Sequence, residues 1–131
     1  MAAAINNMES LAHFFACQKD IELAVLIGSR AGDRAKEASD WDFAVQWRRE
    51  LPFAELLEHT ESLRGQLAHQ LQTTVDKIDL VDIPAARLAM RAVIAEEGML
   101  LKGENTLSWS HFLLRTWGEL ADFYWEKQHA A

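Results

Sequence analysis

Apolar residues along this chain switch repeatedly between a helical rhythm and a strand rhythm. Met8, Leu11, Ala12, Phe14 and Phe15 recur at helical spacing, which predicts a first helix capped at Asn6 or Asn7 and running through Lys19. Asp20 ends it. Ile21 to Ile27 is a short apolar run of the kind found in strands buried on both faces. Trp41, Phe43, Val45 and Trp47 then alternate with polar positions and predict a second strand, whose polar side carries Asp40 and Asp42.

Pro52 sits well in the first turn of a second helix reaching about Gln72, with Phe53, Leu56, Leu57, Thr60, Leu63, Leu67 and Leu71 on one stripe. Gly65 within it either weakens the helix slightly or marks a close approach. Val75 to Ile83 is rich in β-formers and holds Asp76, Asp79 and Asp82. Pro84 opens a third helix, Ala85 to Glu97, which Gly98 stops. Met99 to Lys102 predicts a short last strand, and Ser108 a cap for a final helix from Trp109 to about Gln128. This alternation predicts an α/β fold, a small mixed β-sheet flanked by helices and followed by a C-terminal helix.

Composition narrows the classes. The chain has 131 residues, half of them hydrophobic and a quarter charged, which fits one ordinary globular domain over residues 1–131. A separate substrate or tRNA domain has no room. The formal net charge of −7 argues against direct nucleic-acid binding, which draws on Lys and Arg to neutralise phosphates. No apolar run approaches the roughly 18 residues of a membrane span, and with no signal peptide the expected location is cytoplasmic, away from membranes. Cys17 is the only cysteine, so no internal disulfide forms, and a small buried residue is expected there. The histidines have no ligand spacing with Cys17 or one another, which disfavours zinc.

The chemistry lies between the first two predicted strands. Gly28 lets the backbone approach a ligand closely, and Ser29 adds a hydroxyl and a main-chain N–H at the start of a helical turn, a setting that favours an anion such as a triphosphate. Asp40 and Asp42 leave the same side of their strand, and paired carboxylates suit Mg²⁺, which completes its octahedron with waters and substrate phosphates. Arg30 directly follows Ser29, within reach of a phosphate. Asp33, Arg34, Lys36 and Glu37 read as a solvated loop. Asp79 shares a face with Val81 and Ile83, opposite Ile78 and Leu80, and periodicity leaves open which face meets Asp40 and Asp42.

Gly28-Ser29, ten residues, then Asp40-Trp41-Asp42 resembles the GS-x10-DxD signature of the DNA-polymerase-β-like nucleotidyltransferases. The short chain is similar to the minimal (MNT) branch, whose members often have Gly-Ser-Arg at this point, and within it to the MntA-type antitoxins of HEPN/MNT toxin-antitoxin pairs. The resemblance covers roughly the first hundred residues. It implies a nucleotidyltransferase fold, and it maps the third active-site carboxylate onto Asp79, within Ile78-Asp79-Leu80-Val81-Asp82. Asp40, Asp42 and Asp79 would be catalytic and hold Mg²⁺, two ions being usual, with Asp79 either general base or metal ligand. Gly28, Ser29 and Arg30 would bind ATP or another nucleoside triphosphate.

The partner implied is a HEPN-domain ribonuclease toxin, adenylylated on a hydroxyl, typically a tyrosine, and so silenced. Two other readings stand beside this one: a binding-only antitoxin with a vestigial active site, and the catalytic subunit of a small-molecule nucleotidyltransferase. Trp109, Phe112, Leu113, Trp117, Leu120, Tyr124 and Trp125 spread over more of the last helix than a small sheet needs. Such an excess is common where a protein meets another protein.

Overall fold

A computed structural model describes residues 2–32 and 39–130. The residues Asp33, Arg34, Lys36 and Glu37, expected in a solvated loop, lie outside the described residues. The elements run α1 (Ala2–Ala16), β1 (Ile21–Ile27), β2 (Trp41–Trp47), α2 (Phe53–Gln70), β3 (Ile78–Asp82), α3 (Leu88–Glu97), β4 (Met99–Lys102) and α4 (Leu107–His129). Short 3₁₀ turns follow β1 at Gly28–Ala31, precede β3 at Val75–Lys77 and follow it at Ile83–Ala85.

The strands form one mixed sheet in the order β3-β2-β1-β4. β1 pairs antiparallel with β2 and β4, while β2 and β3 run parallel, so α2 is the crossover that parallel neighbours require. Leu11 and Phe15 of α1 and Leu63 and Leu67 of α2 pack with Ala24, Leu26, Phe43 and Val45 on one face. Ile94 of α3 and Phe112 of α4 pack with Leu23, Val25, Ile27 and Ala44 on the other. Full burial of a side chain such as Leu11 or Phe15 stabilises by about 2 kcal/mol, which is what holds α1 to the sheet. A bulge between Ile21 and Leu23 breaks the alternation, so Ile21 shares a face with Ala24 rather than with Leu23.

Several boundaries differ from expectation. α1 passes straight through Asn6 and Asn7, because Ala2, Ala3 and Ala4 have the highest helix propensity and carry the helix back to the chain start. It stops at Ala16, short of Lys19, where Gln18 N–H turns back to Phe15 O. Cys17 is exposed rather than buried, since it lies past Phe15, the last residue of α1 that points inward. Pro84 enters the 3₁₀ turn, which delays α3 to Leu88. α2 buries Leu63, Leu67 and Ala68, whereas Phe53 and Leu57 of its expected stripe are exposed: the sheet supports only the later turns. A Cβ at Gly65 meets nothing within 4 Å, so no close approach explains that glycine.

Among the described residues no helix is long and apolar enough to cross a membrane.

Candidate active site

β1 and β2 point their functional residues at one end of the sheet. Antiparallel register sets Ile27 against Asp42, and parallel register sets Asp42 against Asp79. Asp42 shares its side of β2 with Ala44, and Asp79 its side of β3 with Val81; both of these apolar neighbours pack in the cluster under α3 and α4. The register thus decides what alternation left open: Asp42 and Asp79 are neighbours on the same face. Asp40 stands just before β2, exposed, with Lys77 Nζ 3.8 Å from its Oδ1.

Gly28 closes the site from β1. It has φ +76°, in the left-handed region, and a Cβ there would lie 2.6 Å from Asp42 Oδ2. Only glycine lets the backbone pass this close to the carboxylate while holding that conformation. Ser29 continues the 3₁₀ turn, and its carbonyl accepts from Gly32 N–H at 3.2 Å. Gly28→Ala is therefore expected to lower nucleotide affinity tenfold or more and to destabilise the fold by about 1–2 kcal/mol, read by nucleotide titration and thermal melting.

Arg30 does structural work at the same turn. Its Nε and Nη2 donate to Ser39 O at 3.3 and 2.9 Å, and its guanidinium lies 4.4 Å from the centre of the Trp41 ring. It ties the turn after β1 to the start of β2 and so fixes that turn relative to Asp40 and Asp42.

The electrostatics mark Asp42 as the central group. Burial, then the charges of Asp79 and Asp40, hold its carboxyl above the usual range. A cation would relieve all three effects. Among the described residues no three His, Cys, Asp or Glu side chains already converge on a metal-sized point, with Asp40 turned towards Lys77. The donors nonetheless suit Mg²⁺: they are oxygen only, carry mutually repelling charge, and leave positions for phosphate oxygens. Asp76 and Asp82 stay outside this group, at the two ends of the β3 segment and exposed. A hydrogen bond from Thr74 lowers the Asp76 carboxyl, and partial desolvation of its carboxyl raises that of Asp82 even though the residue as a whole is exposed.

Beside Gly28 is a cavity of about 270 Å³ lined also by Ala31, Gly32, Val93 and Glu97. Sequence reading missed Val93 and Glu97, and Lys77 as the partner of Asp40. Their periodicity marks them as ordinary helix and turn positions, and only the packing of α3 against β1 brings two of them to the site.

Residues 9–107 match the polymerase beta nucleotidyltransferase family. The chain belongs to that family. No curated protein matches it significantly. Among solved structures, a toxin-antitoxin complex with AMP-PNP contains a chain similar to this nucleotidyltransferase at 24% identity and a TM-score of 0.66, over 94% of this chain and 91% of that one. A tri-AMPylated Shewanella oneidensis HEPN toxin in complex with MNT antitoxin gives 21% identity and 0.63, over 95% and 92%. An MntA-HepT toxin-antitoxin complex gives 22% and 0.60, over 98% and 93%. Likeness at these identities establishes a shared fold, and it extends over the last helix as well as the sheet.

Proposed function

We propose that this nucleotidyltransferase is a cytoplasmic antitoxin that transfers AMP from ATP to a hydroxyl, a tyrosine, of a cognate HEPN ribonuclease toxin and so inactivates it. The observation that carries this reading is the pairing of Asp42 with Asp79 across β2 and β3, one residue pair from the Gly28 turn, in a polymerase beta nucleotidyltransferase domain. Support for the acceptor comes from the complexes that share the fold, one holding AMP-PNP and one an AMPylated HEPN toxin.

Asp40, Asp42 and Asp79 would hold Mg²⁺, which when bound supplies charge neutralisation on the triphosphate and lowers the pKa of a coordinated hydroxyl. Gly28 and Ser29 grip the β- and γ-phosphates through the turn after β1. Arg30 keeps that turn against the start of β2, and its charge favours the departing pyrophosphate. The acceptor oxygen attacks the α-phosphorus, the bond from the α-phosphorus to the bridging oxygen breaks so that pyrophosphate leaves, and the hydroxyl proton goes to Asp79 or is lost from a hydroxyl whose pKa is lowered at the metal that Asp79 would hold. An AMP group beside an RNA-binding surface then opposes RNA through charge and bulk. The acidic chain has no need to touch RNA itself.

Label separates this chemistry from phosphoryl transfer. The HEPN protein incubated with this chain and Mg²⁺ is expected to take up ³²P from α-labelled ATP and none from γ-labelled ATP. Label from the γ-position alone contradicts the proposal.

A binding-only antitoxin is the second reading, and α4 favours it. Only Phe112 and Thr116 of this helix are buried, while Leu114, Trp117, Phe123, Tyr124 and Trp125 are half or more exposed or close to it. Apolar surface of this extent on one helix is a docking face rather than a solvated one. Trp117→Glu together with Trp125→Glu is expected to weaken capture of the HEPN partner tenfold or more, measured by surface plasmon resonance. Under the binding-only reading that variant loses neutralisation while Asp42→Asn keeps it. Transfer of AMP requires both.

A further inference from the structure

A second cavity is at the opposite end of the sheet from the carboxylates. It holds about 450 Å³, in the range of small-ligand sites, and lies where β1 begins, β2 ends and α4 starts. Glu22 on its wall is five residues along β1 from Ile27, roughly 16 Å at the usual strand rise. Nothing in the transfer chemistry uses it.

Its lining is basic in an acidic protein. Arg49, Arg91, Arg115 and His111 all face it, and Glu22 is the one carboxylate among the lining residues. Glu22 already accepts from Gln46 Nε2 at 2.9 Å and from Ser108 Oγ at 3.1 Å, which spreads its charge. Arg91 is 4% exposed and held by Ala86 O at 3.2 Å, Thr116 and Glu119, so it forms a rigid wall. Arg115 shares Glu119 at 3.5 Å. Arg49 has no hydrogen-bond or ion-pair partner among the described residues, although the chain carries 20 acidic residues against 13 Lys and Arg. Leu107 and Ser108 bring the first turn of the 23-residue α4 to the same cavity, with its positive dipole end. Trp47 and Phe112 supply apolar surface beside the cations.

This face is concave and mixes aromatic with cationic walls, where a solvated basic surface would be convex. We propose that the cavity is a second ligand site, separate from the carboxylate centre, that takes a phosphorylated anion of nucleotide size. Arg49, Arg115 and His111 contact the phosphates, and the Trp47 side contacts the nucleoside.

Isothermal titration of the full chain with ADP in EDTA tests this, since removing divalent cations silences the metal-dependent centre. One binding event is expected, changed less than threefold by Asp42→Asn and weakened at least tenfold by Arg49→Ala with Arg115→Ala. Both arginines are exposed, so the fold is expected to persist, checked by thermal melting. Arg49→Glu alone serves if the double variant does not fold, with the same tenfold loss expected. The proposal is overturned by no binding to the unaltered chain, by unchanged affinity in the arginine variant, by loss in Asp42→Asn, or by pyrophosphate binding as tightly as ADP.

Discussion

Asp42→Asn is expected to reduce AMP transfer at least a thousandfold, about 4 kcal/mol of barrier, while the protein melts about 2 °C higher at neutral pH. Both effects have one origin. Burial and the nearby Asp79 and Asp40 charges raise the Asp42 carboxyl above its ordinary range. The folded state therefore binds a proton that the unfolded chain has already released, and stability falls as pH rises through that window. At neutral pH the ionised carboxylate is a net cost to the fold, reduced because the group is partly open to water. Asparagine keeps the shape and removes the charge. The gain in melting temperature should disappear below the ordinary carboxylate range, where Asp42 is protonated in both states. Added Mg²⁺ with ATP is expected to raise the melting temperature of the unaltered chain, and not that of the variant. Melting curves at several pH values, beside a transfer assay, check every part.

Arg91→Ala is expected to destabilise the fold by about 3 kcal/mol, lowering the melting temperature by about 10 °C. Arg91 is the one charged side chain that is buried among the described residues. It joins the chain before α3, through Ala86 O, to Thr116 and Glu119 on α4. Truncation leaves the buried Thr116 hydroxyl without that partner and opens space between two helices that cover one face of the sheet. Glu119, whose carboxyl Arg91 holds below the usual range, returns towards its ordinary value. Its stabilisation is present above the ordinary carboxylate range and fades as pH falls, so the deficit of the variant should shrink in acid. Urea unfolding at pH 7 and pH 4 measures it.

Much of the site could be read from the chain because its parts are local. The apolar run before Gly28-Ser29 and the alternation from Trp41 to Trp47 specify two strands and the side from which Asp42 projects, whatever the rest of the chain does. Asp79 was different, since period-two alternation is symmetric between faces. Only the parallel register of β3 on β2, which depends on the α2 crossover, assigns its face. Arg30 shows a further limit: its contacts with Ser39 and Trp41, ten or so residues away in sequence, come from how the chain folds back and not from its adjacency to Ser29.

Helix ends were less legible where neighbouring residues compete for one task. Ser108 and Thr106 are both good caps, and the turn decides between them. Gly103 and Asn105 take positive φ, which leaves Thr106 extended and able to accept from Trp109 N–H at 3.2 Å. Ser108 then lies inside the helix and bonds Glu22 instead. The apolar spacing of α2 gave its inward stripe, yet spacing alone does not tell how far a sheet extends, and Phe53 lies beyond its reach.

The decisive experiment is intact mass spectrometry of the HEPN partner after incubation with this chain, ATP and Mg²⁺. A gain of one or more AMP units, about 329 Da each, is expected, and is absent with Asp42→Asn. An unmodified partner that is nonetheless bound and silenced would contradict transfer of AMP.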